Sequence, residues 1–321
     1  MTDLRYSKNL VLQGVIEASY GVPATTFVAT DAILLTEEPK HEMTWLNVDR
    51  DLITPYFGVS EQLQATALVK TTFKTELVAS GVAGTPPAIG RWLIACGMQE
   101  TIFAANRVEY DPMSQGTGSI TQRFNNDGVR YVSQGGRGKF KLDLSVMNRP
   151  TAEFEIWSLA RVESVQTMPA VDYTAFKLPQ VVTDAASGDI RFGTTLTAGN
   201  STGGTVYKSK GLMIDYANDL QHFPMLSGED IGIADRKVTG KISVALTEAQ
   251  EVQWFSDIRA ITTTTLSFNH GTVAGAKLLV HGRNVQRYNM NRAPDKGRLM
   301  FDVALGYVPQ GGDNEIKLIF K

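Results

Sequence analysis

Cysteine is almost absent. Cys96 stands alone among 321 residues, so neither an intrachain disulfide framework nor a thiolate-rich zinc site can form. Its neighbours, Arg91-Trp92-Leu93-Ile94-Ala95-Cys96-Gly97, read as helix core rather than as a reactive thiol. Histidine is scarce as well. The four, His41, His222, His270 and His281, show no His-Glu-x-x-His spacing, and no Gly-x-Ser-x-Gly elbow occurs. His270 and His281 each precede glycine, a context that reads as a strand-end turn. No run of about 18 apolar residues is present to cross a membrane as a helix. The first residues, Met1-Thr2-Asp3-Leu4-Arg5-Tyr6, lack the apolar core of a secretory signal, which gives the expectation of a chain made in a cytoplasm and not membrane-bound. An excess of one charge is missing too. With 31 Lys and Arg against 33 Asp and Glu, nothing in the composition supports a tight grip on phosphates, and a high-affinity nucleic-acid binder is not expected.

What is present is a foldable chain, 43% hydrophobic and 20% charged. Its length suits two modules or one large β domain. Two-residue alternation recurs along it, as half-buried antiparallel strands require. From Ala67, Val69, Phe73 and Leu77 share one face and Lys70, Thr72, Lys74 and Glu76 the other. Over 137–146, Phe140, Leu142, Leu144 and Val146 alternate with Lys139, Lys141, Asp143 and Ser145; over 152–161, Phe154 and Ile156 alternate with Glu153 and Glu155. The turn between these two strands falls at Asn148-Arg149-Pro150 and makes a hairpin. Only two segments read as helix. Pro86-Pro87 precedes a stripe of Ile89, Trp92, Leu93 and Cys96 closed by Gly97. Thr247 with Gln250 forms a capping box that opens 248–259, with Val252, Phe255 and Ile258 expected as its buried stripe. The fold class is mainly β, with one short helix per half.

The second half repeats the order of the first. Strand 66–78 and helix 87–97 correspond to strand 237–246 and helix 248–259. A glycine-marked hairpin follows in each half, around Gly135-Gly136 and around Gly282, and then Met147-Asn148-Arg149-Pro150 or Met290-Asn291-Arg292-Ala293-Pro294. The expected units are 1–164, with a long loop at 49–65 and an inserted loop at 98–118, and 206–321, with a long loop at 217–236. Residues 165–205, rich in Pro, Gly, Thr and Ser, read as linker and surface loop.

The two long connections pair bulky apolar residues with Pro, Gly and acids, so they read as arms that pack on something. Candidate contacts are Asp49, Asp51, Pro55, Tyr56 and Phe57 on the first and His222, Phe223, Met225, Glu229 and Asp230 on the second. Tyr56-Phe57 between Pro55 and Gly58 fits either an interface or burial under the chain's own sheet. The four carboxylates fit solvation or a subunit salt bridge better than a cation site or an acid/base pair. Gly135-Gly136-Arg137-Gly138-Lys139-Phe140 fails the phosphate-loop pattern, because Ser133 and Phe140 stand where Gly and Ser or Thr are needed; it reads as a hairpin turn. Asn200-Ser201-Thr202 is a glycosylation sequon without a secretory context. No cofactor, metal or catalytic residue is expected.

Several segments resemble the tail tube proteins of long-tailed, siphovirus-type bacteriophages. They are Glu17-Ala18-Ser19-Tyr20-Gly21-Val22-Pro23-Ala24, Val48-Asp49-Arg50-Asp51-Leu52-Ile53-Thr54-Pro55-Tyr56-Phe57-Gly58, Ala79-Ser80-Gly81-Val82-Ala83-Gly84-Thr85-Pro86-Pro87 and Ala95-Cys96-Gly97. The second half adds Gly228-Glu229-Asp230 and Ala234-Asp235-Arg236-Lys237-Val238-Thr239-Gly240. The resemblance implies duplicated tube-type β-sandwich or barrel units whose strands join an intersubunit β-barrel. It also implies a non-enzymatic virion protein, made in a host bacterial cytoplasm, that stacks in rings through which DNA leaves. A tape measure protein and tail-end proteins would be partners, and DNA would pass the lumen without specific binding. If each half is one unit, three chains would supply a pseudo-sixfold ring, with a hexamer as the alternative. A carbohydrate-binding or adhesin β module and a β-rich hydrolase remain alternatives on the β content alone.

Overall fold

The computed structural model describes residues 4–321. Its strands, in chain order, are β1 (Leu10–Ile16), β2 (Lys40–Asp49), β3 (Gln62–Glu76), β4 (Met98–Phe103), β5 (Arg107–Pro112), β6 (Ile120–Asn126), β7 (Val129–Ser145), β8 (Thr151–Ala160) and the short β9 (Ser164–Val165). They continue with β10 (Ser187–Thr197), β11 (Asn200–Met225), β12 (Gly228–Ala245), β13 (Thr263–His270), β14 (Leu278–Arg292), β15 (Phe301–Tyr307) and β16 (Ile316–Phe320). Two helices, α1 (Gly90–Ala95) and α2 (Glu248–Arg259), each follow a long strand. The protein is mainly β, as its alternation predicts, and every strand pairing is antiparallel.

The alternating segments form strands because one face of each can be buried against aromatic partners. In β3, Val69, Phe73 and the methyl-bearing Thr71 and Thr75 are buried, while Lys70, Lys74 and Glu76 look outward. Phe73 stacks on Phe154 across the ladder, with ring centroids 5.3 Å apart, and meets Trp92 of α1 edge-on at 4.7 Å. Trp92 needs close access to β1, where a Cβ on Gly14 would lie 2.6 Å from the indole. In the second half Trp254 of α2 is buried edge-on to Phe192 at 5.3 Å and Tyr207 at 4.9 Å.

Pairing order positions everything else. One run of neighbours is β2, β3, β8, β7, β11, β12, β15, β14. Its first four strands are a hairpin (β2, β3) followed by the partners β8 and β7; its last four are a hairpin (β11, β12) followed by β15 and β14. Beyond β7 lie β6 and β1, and beyond β14 lie β13 and β10. The first-half set meets the second-half set where Phe140–Ser145 of β7 pairs with Gly211–Tyr216 of β11. Gly211 is required at this crossing: its φ is 107°, and a Cβ would stand 2.2 Å from the Leu144 carbonyl oxygen.

Several sequence expectations need correction. Residues 217–236 are not a loop but the ends of β11 and β12 around the turn at Leu226-Ser227. Their Asp, Asn, Gly and Pro content conceals an alternation in which Leu220, Ile231 and Asn218 point inward. In the first arm only residues 50–61 lie outside strands, fewer than the expected 49–65. The 98–118 insertion contains the β4–β5 hairpin, which pairs with β16 at the far end of the chain. The 165–205 linker contains β10 and the start of β11. Gly135-Gly136 makes a bulge inside β7 rather than a hairpin turn, and Gly282 lies within β14. Met147-Asn148-Arg149-Pro150 spans the β7–β8 turn, whereas Met290, Asn291 and Arg292 still belong to β14; the two copies do not occupy the same place. In α2, Trp254 is the buried anchor and Val252 is exposed, although the Thr247–Gln250 capping box is present as expected.

Candidate subunit interface

The first arm begins where β2 and β3 leave the body. Trp45, Leu46, Val48 and Leu63 are all exposed, so this part of the hairpin has neither face covered. Asp49 accepts a hydrogen bond from Gln62 Nε2 at 2.7 Å, and Arg50 meets Glu61 at 3.0 Å, closing the base of the 50–61 loop. Beyond that base Asp51, Pro55, Tyr56 and Phe57 stand in solvent, with Tyr56 83% and Phe57 110% exposed. Of the two readings of Tyr56-Phe57, burial under the chain's own sheet is the one the structure removes.

The second arm is held. His222 Nε2 lies 2.6 Å from Glu229 Oε1, and Thr66 of β3 donates to Glu229 Oε2 at 3.2 Å. Arg137 of β7 reaches Asp230 at 3.2 Å and donates to the Ile231 carbonyl at 2.9 Å. Phe223 folds over Gly232, where a Cβ would meet its ring at 2.6 Å; Met225 remains exposed at the tip. The structure therefore brings His222, Glu229 and Asp230 against the first half and leaves the five candidates of the first arm apart from them. Asp49, Glu229 and Asp230 each take a different partner, so they do not converge as an acid/base pair.

Sequence reading missed the residues that pin the second arm. Tyr216 stacks on Phe140 at 4.6 Å and donates its hydroxyl to the Gly97 carbonyl at 3.3 Å. Asn218 Nδ2 donates to the carbonyls of Cys96 and Gly138, both at 2.7 Å. Both side chains therefore hold the end of α1. Tyr20 accepts from the Ile231 amide at 2.6 Å, and the Arg137 guanidinium lies 4.5 Å over its ring; burial pushes the Tyr20 phenol well above its usual range. Glu17 aims this loop, accepting from Ser119, Thr121 and the amides of Gly21 and Gly135 at 2.6–2.9 Å. The only sequence signal for this cluster was the segment Glu17 to Ala24.

A second lock joins the halves. Lys317 of β16 donates to Glu109 of β5 at 2.6 Å, beside Arg107. Burial opposes charge on Glu109, but the hydrogen bonds from Arg107 and Lys317 outweigh it and hold the carboxyl below its ordinary value.

Among the described residues, both ends of the eight-strand run are backbone edges without a strand partner. One is the edge of β2 opposite β3. The other is the edge of β14 beyond Gln286, opposite β15, since the pairing with β13 ends there. The outward face of the eight-strand run carries charge in compensated groups: Lys70 and Lys139 share Glu155, Lys141 meets Asp215, and Lys241 meets Asp302, all within 3.4 Å. The histidines are structural. His270 and His281 each bond a serine at 2.8 Å, and burial lowers the His281 pKa to about 4. His281 lies inside β14, not in a turn. Burial likewise raises the Cys96 thiol well above its ordinary value.

Comparison with curated proteins returns no match. The sequence model described as phage tail tube protein, by contrast, matches residues 7–315, nearly the whole of a chain whose strands pair antiparallel throughout, and the chain belongs to that family.

Proposed function

We propose that the chain is a structural subunit that closes into rings, that the rings stack into the hollow tail tube of a virion, and that DNA leaves through the bore. The observation that carries this reading is the eight-strand run ending in unpaired edges on β2 and β14. Open edges invite uncontrolled pairing, and a closed ring of identical copies pairs both ends of this run.

The repeated pairing order supports two tube units per chain, and ring size then follows from geometry. Strands about 4.8 Å apart and tilted by about 40° make eight strands per chain span roughly 50 Å of circumference. Two chains give a barrel about 32 Å across its backbone, with about 20 Å left after side chains, which only equals the width of a DNA duplex. Three chains give about 48 Å, with a bore near 36 Å, the smallest ring with clearance. The proposed ring is therefore a homotrimer with pseudo-sixfold symmetry. The compensated outward face suits its lumen, because paired lysines offer DNA no dense cationic track to stick to. The exposed first-arm loop, with Tyr56 and Phe57, is the proposed contact with the next ring. A tape measure protein inside the tube and proteins at its ends are the further partners, and no catalysis is assigned.

Cryo-electron microscopy of the purified, assembled chain tests both levels. Tubes with three chains per ring are expected. Six chains per ring would overturn the trimer, and persistent monomers that bind sugars would overturn the tube.

A further inference from the structure

The internal meeting of the two halves has a counterpart that the single chain leaves open. Two salt bridges supply the alignment. Lys70 stands opposite Trp157 and reaches diagonally to Glu155; Lys241 stands opposite Ala304 and reaches diagonally to Asp302. Phe73 opposite Phe154 then matches Val244 opposite Phe301. Across the two hairpins, Glu42 pairs with Lys70 and Met213 with Lys241. Counting along β2 and β11 from that pair, Trp45 falls where Tyr216 lies and Asn47 where Asn218 lies. An aromatic residue and an asparagine two positions later thus recur on the same strand of each hairpin.

Their surroundings differ in one respect. Tyr216 and Asn218 are buried against β7 and the end of α1, whereas Trp45 is 49% exposed and Asn47 is exposed. The matching receiving surface is also vacant. The β14 edge is open past Gln286, and at the end of α2, where α1 has Gly97, stands Ile261 with a φ of 55° and 68% exposure. We infer that Trp45 and Asn47 of one chain dock on the β14 edge and the α2 C-terminal end of a second copy, repeating the β7·β11 junction between chains. This rests on the ring reading above and deepens it, because it names the two surfaces that close the ring. Both sides are present on every chain and differ from each other, so the contact is head-to-tail and closes by rotation. It sets Trp45 and Asn47 against the last residues of β14 as an aromatic-anchored contact, while Lys40–Thr44 fall opposite residues 293–297, past the end of that strand.

The alignment sets Trp45 opposite Arg292 and Thr44 opposite Ala293. The test mixes full-length Thr44→Cys chains with full-length Ala293→Cys chains under assembly conditions and mild oxidation; the native Cys96 is buried and does not compete. A disulfide-linked dimer in the mixture, absent from either variant alone, is expected. In parallel, Trp45→Ala should raise the critical concentration for assembly at least tenfold while leaving the melting temperature of the unassembled chain unchanged, and Trp45→Phe should restore most of it. Rings that form without the cross-link and tolerate Trp45→Ala would overturn the inference and leave the ring reading standing. A wild-type chain that makes no rings at any concentration would overturn both.

Discussion

Replacing Tyr56 and Phe57 together by alanine separates folding from assembly. In the isolated chain both rings stand in water, so their removal takes nothing from the core, and exposed substitutions of this kind stay within about 0.5 kcal/mol. If the 50–61 loop meets the next ring, the same rings become buried on stacking. Two large side chains then contribute about 3–6 kcal/mol. Ordering them costs about 0.5–1.5 kcal/mol each. The remaining roughly 2–3 kcal/mol corresponds to about 30- to 150-fold in the critical concentration for tube growth. Light scattering across a dilution series reads that concentration, and urea unfolding of the unassembled chain reads stability. A variant that assembles normally but unfolds at clearly lower urea would refute the reasoning, because its rings would have been supporting the chain's own fold.

Other perturbations address the parts of the chain that hold the arms. Asn218→Ala removes two buried hydrogen bonds at once and leaves the Cys96 and Gly138 carbonyls short of a donor, so urea unfolding should show a loss of about 2–4 kcal/mol. Gly211→Ala places a methyl against the Leu144 carbonyl at a left-handed position, and differential scanning calorimetry should show a destabilisation of about 2 kcal/mol or more. His41 and His281 have folded pKa values lowered by burial to about 4, from 6.5 unfolded. Their neutral forms are fully compatible with folding above pH 6.5; as pH falls from 6.5 through 4, the unfolded chain takes up protons that the folded chain refuses. Stability should therefore decline across that window, by up to about 3 kcal/mol per histidine, and His41→Phe should flatten part of the slope in unfolding curves taken from pH 7 to 4. Asp215→Asn with Glu155→Gln strips the partners from Lys70, Lys139 and Lys141. Assembled tubes of this variant should retain DNA at low salt, with a log–log salt slope of about 0.9 per phosphate engaged; unchanged DNA passage would remove that face from the lumen.

What could be read from the sequence was what local patterning controls. The faces of β3, β7 and β8 follow from alternation, and α2 begins at its capping box because Thr247 and Gln250 satisfy each other's backbone amides. The ends of β11 and β12 resisted, since Asp219, Pro224, Gly228 and Asp230 are poor strand formers one at a time and are held by the partner strand instead. The exposure of Tyr56-Phe57 was not legible, because Pro55 and Gly58 suit a loop packed under the sheet as well as one in solvent. Neither were the pins of the second arm: Asn218 bonds carbonyls 80 and 122 positions away, a relation no local spacing records. The matching of Met147-Asn148-Arg149 with Met290-Asn291-Arg292 failed because short polar words suit both a turn and an exposed strand end.

The two kinds of junction differ in strength by construction. Within a chain, the halves meet at β7·β11 and again where β5 pairs with β16, reinforced by Lys317 on Glu109 and by the Gly81 amide donating to the Gly275 carbonyl. Between chains, the proposed contact of β2 with β14 would repeat only the first of these, and forming it costs the translational and rotational freedom of a whole chain, estimated at about 4–15 kcal/mol. The covalent link removes that cost from every second junction of the proposed ring. A ring built this way should dissociate into intact chains with both halves still docked, so the species below the critical concentration is the folded monomer, with the β2–β3 arm as its unprotected edge. The edge strand's own defences fit that interval: Lys40 and Glu42 put charges of both signs on β2, and the charged pair Arg50–Glu61 closes the loop base. These are the devices that keep a strand from pairing with the wrong partner before the right one arrives.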